Sequence, residues 1–201
     1  KVLEEKNIEV TYVKPNSKGI IEPEIIADHI KNNTKMVSIM YANNEIGSTN
    51  PLNEIIKICK SKNIITHTDA VQYVGKKNID VSKLDIDLLS IGAHKFYGPK
   101  GIGALYIKSG LLVDPLILGG GQEKGISPGT ENVSLISGMA YALEIAYDNM
   151  DNNTKHILKM EELFFSLLDK TKIKYTLNGK NRLPGFINIT FFDFDGYSLL
   201  L

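Results

Sequence analysis

One lysine stands between an apolar run and a glycine-rich turn. It is Lys95, in Ser90-Ile91-Gly92-Ala93-His94-Lys95-Phe96-Tyr97-Gly98-Pro99-Lys100-Gly101. The run before it, residues 86–91, is apolar except for Asp87 and Ser90, so it reads as a largely buried strand. An amine delivered by such a strand stands at a sheet edge, where α/β proteins place their sites. There it loses hydration, its pKa falls, and it becomes able to form a Schiff base. Two further groups stand at the ends of other candidate strands. Asn44 follows residues 36–41, and Asp69, with Gln72 just beyond, ends residues 64–69. Taken singly, each has an ordinary reading: a loop charge for Lys95, a strand-end cap for Asp69, a turn residue for Asn44.

The elements that must position these groups follow from the pattern of apolar residues. Residues 36–41 are a near-continuous apolar run and predict a buried parallel strand. Residues 8–13 alternate and predict another strand; residues 22–31 predict a short helix, with His29 structural or solvated on its flank. Pro51 opens a helix at a position that needs no amide hydrogen. In that helix Leu52, Ile55, Ile56 and Cys59 share one face, which makes Cys59 a buried, inert thiol. The strand carrying Asp69 comes next, then the lysine strand, then a strand over 103–107. Alternating strands and helices predict parallel pairing.

Beyond them, Gly119-Gly120-Gly121-Gln122-Glu123 opens a loop that runs through Gly129-Thr130-Glu131-Asn132. Two helices follow, divided by the acidic and amide-rich residues 148–153, where a domain boundary is expected. Residues 175–177 and 186–192 predict strands. Residues 197–201 read as the first turn of a helix, which cannot stand alone given the cost of helix nucleation. The opening residues 1–6 read as the end of one. Both ends therefore read as interior to a longer protein.

The 201 residues suffice for one large domain or one and a half, hiding roughly 70% of the unfolded surface. Lysines and arginines equal aspartates and glutamates at 23 each, which argues against a nucleic-acid or membrane surface as the main partner. No apolar run approaches a membrane span. Cys59 is the only cysteine, so no internal disulfide forms and a reducing, cytoplasmic compartment fits. Arg182 is the only arginine, although a carboxylate clamp favours the bidentate guanidinium. No cluster with metal-ligand spacing is expected.

The stretch through Ala93-His94-Lys95, Tyr97-Gly98-Pro99-Lys100-Gly101 and Gly103-Ala104-Leu105-Tyr106 resembles the cofactor-lysine segment of the NifS/IscS-type cysteine desulfurases, which are pyridoxal phosphate enzymes of the class-V aminotransferase family. The resemblance runs over essentially the whole chain, and the chain matches the middle of the family. It implies fold type I: an α/β protein with a mainly parallel sheet, helices on both faces, and the start of a small α/β domain. Residues 1–150 would be the later part of the large cofactor-binding domain and 151–201 the beginning of the small one.

The resemblance also implies roles. Lys95 would carry pyridoxal 5'-phosphate as a Schiff base, Asp69 would face the pyridine nitrogen, and Gln72 and Asn44 would hydrogen-bond the phenolic oxygen. His94 would help hold the phosphate. Thr130 would reach the phosphate of a neighbouring subunit's cofactor, making the working unit a homodimer. The activity implied is conversion of L-cysteine to L-alanine, with sulfur passing to an iron–sulfur scaffold or a tRNA-thiolation partner. Neither the sulfur-accepting cysteine nor the substrate-carboxylate arginine is expected here: Cys59 sits in a helix core and Arg182 in Arg182-Leu183-Pro184-Gly185. Two departures stand out. Gly92 replaces a serine common in relatives, and Ser127 replaces a basic residue. The alternatives are a selenocysteine lyase or aminotransferase of the same fold, or a catalytically incomplete chain serving as a binding module.

Overall fold

The computed structural model describes residues 2–199. Four strands form one sheet in the order β1-β2-β3-β4: β1 Met36–Met40, β2 Ile65–Asp69, β3 Leu88–Gly92 and β4 Gly103–Ile107. β1, β2 and β3 run parallel, and β4 runs antiparallel to β3. The sheet is mainly parallel, as expected, and β4 is its antiparallel member for a reason of length. Residues 93–102 turn back at once and hold no crossover helix, and only such a crossover returns a strand in parallel.

Helix α1 spans Val2–Glu5, α2 Pro23–His29, α3 Leu52–Ser61, α4 Val81–Leu84, α5 Val133–Asp148 and α6 Met150–Lys170. Leu52, Ile55, Ile56 and Cys59 on α3 are all buried, as their spacing predicts. The main core gathers Leu52 and Ile56 with Ala70, Val74, Leu89, Phe96 and Ala146 of α5. A second cluster joins Ile26 of α2 to Ile55, Cys59 and Ile64. Strand residues whose side chains enter these clusters, such as Ile39, Leu89 and Ile91, lie on one face of the sheet. The opposite face carries Ser38, His67 and Ser90. Residues of α2, α3 and α5 pack against the first face.

Three expected features differ. Residues 8–13 form no strand: alternation alone does not make a ladder, and Glu9 bonds Lys31 and Asn33 beyond α2. β1 was expected buried, yet none of its residues is fully so, because it lies at the sheet's edge. The divider over 148–153 shrinks to Asn149, where Asp148 ends α5 and Met150 opens α6. A two-stranded sheet, β5 Tyr175–Leu177 with β6 Ile189–Phe191, follows. Within the helix expected over 197–201, Ser198 caps back onto Asp195 at 3.0 Å, and residues 200–201 lie outside the described residues.

A buried acid fixes β2 against β3. Asp87 accepts hydrogen bonds from the Thr66 N–H at 2.8 Å and the Thr66 hydroxyl at 3.0 Å, and pairs with the Lys60 ammonium from α3. Burial alone would raise its pKa. The bonds from Lys60 and Thr66 together outweigh burial and hold the carboxyl below its ordinary value.

Candidate active site at the strand ends

The carboxyl ends of β1, β2 and β3 lie side by side. In register, Met40 pairs with Asp69 and Asp69 with Ser90, so the segments that leave each strand leave from adjacent points. After β2 the chain turns at once: the Asp69 carboxylate accepts from the Val71 N–H at 2.9 Å, and the Tyr73 N–H donates to Ala70 O. After β3 a 3-10 turn over Ala93–Phe96 carries His94 and Lys95 and ends at Tyr97, whose φ is +66°. Its Ala93 and Phe96 are buried as anchors, which leaves His94 and Lys95 outward on the same turn.

Contacts bring the two turns together. A Cβ placed on Gly92 would lie 3.3 Å from His94 Cε1 and 3.5 Å from Val71 Cγ1. The His94 ring therefore closes over Gly92, beside the residue that caps Asp69. A serine at 92 would press on that ring, which accounts physically for the glycine. Gly75, at φ +80°, lets the first turn lie directly on Phe96: an added Cβ would be 2.6 Å from Phe96 Cβ.

The remaining candidates divide. Gln72 is buried in the first turn, next to the lysine turn. Asn44 is exposed in the loop after β1, and its neighbour Asn43 organises that loop by accepting from the Glu45 and Ile46 N–H groups at 2.9 and 3.0 Å. Among the described residues the Asn44 amide has no hydrogen-bond partner. Thr130 stands apart on the exposed loop before α5, with no hydrogen bond to any of these residues. Lys95 is exposed, contrary to the dehydration expected from its strand. The strand's burial ends at Gly92, and on the turn beyond it only Ala93 and Phe96 are buried.

Two features carry no signal in the sequence. His67 bridges Ser38 Oγ through Nδ1 at 2.7 Å and Ser90 Oγ through Nε2 at 2.9 Å, tying three strands on the face that also holds Asp69. Burial lowers its pKa, and the Asp69 charge works weakly against that. Lys76, at the end of the first turn, donates to Gln72 O at 3.2 Å and to Lys95 O at 3.3 Å. Lys76 and Lys95 line one cavity of about 620 Å³ against α5 and the start of α6, and no aspartate or glutamate lines it. Arg182 is committed elsewhere, bonded to Phe186 O and paired with Glu161 at 3.9 Å. Cys59 is fully buried, and burial raises its thiol pKa. No group of acids, histidines or cysteines among the described residues could hold a metal ion.

The donors at these strand ends are one amine, one carboxylate, two amides and one imidazole. That set suits a small anionic aromatic aldehyde: an amine for the carbonyl, an anion for a ring cation, amides and imidazole for oxygens.

The family model described as aminotransferase class-V matches residues 1–201. A cysteine desulfurase IscS of Dictyoglomus turgidum is 44% identical over 201 residues, covering 99% of this chain and 51% of the relative. A solved NifS-like protein superposes with a TM-score of 0.92 at 38% identity, covering 98% of this chain and 55% of that one. A structure described as SspA in complex with cysteine gives a TM-score of 0.82 at 35% identity, over 94% of this chain and 53% of that one. The chain spans about half the length of the curated relatives it matches.

Proposed function

The chain belongs to the class-V aminotransferase family, and from that premise we propose that it works as part of a pyridoxal 5'-phosphate-dependent cysteine desulfurase. The observation that carries the reading is the contact between two turns: His94 and Lys95 on one, Asp69 and Gln72 on the other, at adjacent strand ends. Relatives named cysteine desulfurase and a related structure holding cysteine support L-cysteine as substrate.

Pyridoxal 5'-phosphate, when bound, supplies an aldehyde for amine capture and an electron-accepting ring. Lys95 would supply the amine that holds the cofactor, and the same amine would be placed to move a proton at the substrate's α-carbon. Asp69, its carboxylate oriented by the Val71 N–H, would be the residue that faces the ring nitrogen. Gln72 and Asn44 would donate amide hydrogens to the ring oxygen, Asn43 taking the loop's own bonds. His94 would help hold the phosphate. The product sulfur leaves on a cysteine other than Cys59, which is buried and inert, and passes to an iron–sulfur scaffold or a tRNA-thiolation protein.

Residues 1–150 form the later part of a cofactor-binding domain and 151–201 begin a second, in keeping with the break at Asn149 and the separate β5–β6 sheet. The working unit is a homodimer in which Thr130 serves the neighbouring subunit's site. The nearly fully exposed Leu112, Leu116 and Leu118, too apolar to face water at rest, support a subunit contact. A reducing, cytoplasmic setting accords with the single buried thiol. No helix among the described residues is long and apolar enough to cross a membrane.

Titrating the full-length protein with pyridoxal 5'-phosphate tests the reading. A visible absorbance band should form in the wild type and be absent in Lys95→Ala, and L-cysteine should yield L-alanine only in the former. A folded wild type with no band would overturn it.

A further inference from the structure

Lys76 is a cation that the proposed chemistry does not use. It is half-buried, and among the described residues no carboxylate lies within ion-pair distance of it. Taking an ammonium partly out of water is unfavourable unless its hydrogens find acceptors. Lys76 meets two main-chain carbonyls, Gln72 O at 3.2 Å and Lys95 O at 3.3 Å. The first lies four residues back on its own turn and would suit a simple turn cap. The second lies 19 residues ahead on another element. The 3-10 turn closes its own ladder on Ala93 O, which accepts from Tyr97 and Gly98, and the Lys95 carbonyl is met by Lys76. On its far side the ammonium lies 6.0 Å from the centre of the Phe186 ring. Burial lowers the Lys76 pKa, with the Lys95 charge adding to it, so the contact with Lys95 is an unfavourable one that the two carbonyls must offset.

We propose that Lys76 is a positioning residue: by bonding the carbonyls of Gln72 and Lys95 it fixes the turn that ends β2 against the turn that ends β3. It thereby sets the spacing between the Asp69–Gln72 pair and the Lys95 amine. This role rests on the cofactor reading above for its purpose, and on the two bonds alone for its geometry. Lys95 is placed by backbone, since its side chain is exposed and its turn is anchored only through Ala93 and Phe96. A tether on its carbonyl is the contact that stops the turn from rotating about those anchors.

The test uses the full-length protein and three variants. Lys76→Met keeps the stem and removes the donors, Lys76→Arg keeps charge and donors, and Lys76→Gln keeps a shorter neutral donor. Two quantities are read: affinity for pyridoxal 5'-phosphate from its visible band, and amide hydrogen exchange of residues 93–98 without cofactor. Lys76→Met should bind about tenfold more weakly, as loss of its hydrogen bonds to the two carbonyls implies. It should also exchange faster at 93–98 while the sheet strands keep wild-type exchange, and Lys76→Arg should restore both. Wild-type affinity and wild-type exchange in Lys76→Met would overturn the role while the cofactor reading stood. A wild type without a band would overturn that reading, and the exchange arm would still decide the tether. If Lys76→Met does not fold, Lys76→Gln is read by the same two measurements: faster exchange at 93–98 supports the tether and unchanged exchange overturns it.

Discussion

Replacing Asp87 by asparagine tests what locks β2 to β3 and so aligns the strand ends. The carboxylate serves three donors: the Lys60 ammonium, the Thr66 N–H and the Thr66 hydroxyl. Asparagine has one oxygen for them. Thr66 is buried, and leaving its N–H unpaired would cost about 1–3 kcal/mol, so the amide oxygen should turn to Thr66. Its NH2 then faces Lys60, and a charge-assisted bond of roughly 1.5–3 kcal/mol is lost. The Lys60 side chain is 29% exposed and can recover part of that from water. The expected loss is about 2 kcal/mol, or about 4–8 °C in Tm for a domain of this size.

The pH dependence has a definite sign. The folded pKa of Asp87 lies below its ordinary value of 3.8, so its stabilisation is full above that value and is lost as pH falls through the lowered one. The Tm gap between wild type and Asp87→Asn, followed by circular dichroism on the full-length protein, should be constant near neutrality and close below about pH 3. A gap under about 1 °C at pH 7, or one that widens on acidification, would refute the reasoning.

Two more substitutions probe the neighbouring structure. Gly75→Ala puts a methyl 2.6 Å from Phe96 Cβ at a φ of +80°. Strain alone should cost about 1–2 kcal/mol, and displacement of the lysine turn should also weaken cofactor retention, seen as faster loss of the visible band on dialysis. Thr68 is 0% exposed and its hydroxyl has no hydrogen-bond partner among the described residues. Thr68→Val keeps the shape and removes the orphan, so thermal unfolding should shift upward by about 2–4 °C, the equivalent of about 1 kcal/mol.

Local pattern was enough to read the elements that carry the site. The buried face of α3, the helix start after Pro51 and the run of strand, His94-Lys95 turn and glycines are written in short-range spacing. So was the inertness of Cys59, because a residue on the apolar face of an amphipathic helix is buried whatever lies opposite. Asn44 against Asn43 was harder. Both are turn residues by type, and only the geometry of the loop shows that Asn43 takes the backbone bonds and leaves Asn44 free.

What the sequence determines by itself is which residues leave each strand end and which side of each element is apolar, since these depend on neighbours three or four positions away. The tertiary structure decides the rest: the antiparallel return of β4, the edge position of β1, the exposure of Lys95, the His67 bridge and the reach of Lys76 to the Lys95 carbonyl. Each of these is a relation between residues far apart in the chain. Periodicity reports the side of an element that seeks cover, and it carries no information about what arrives to cover it.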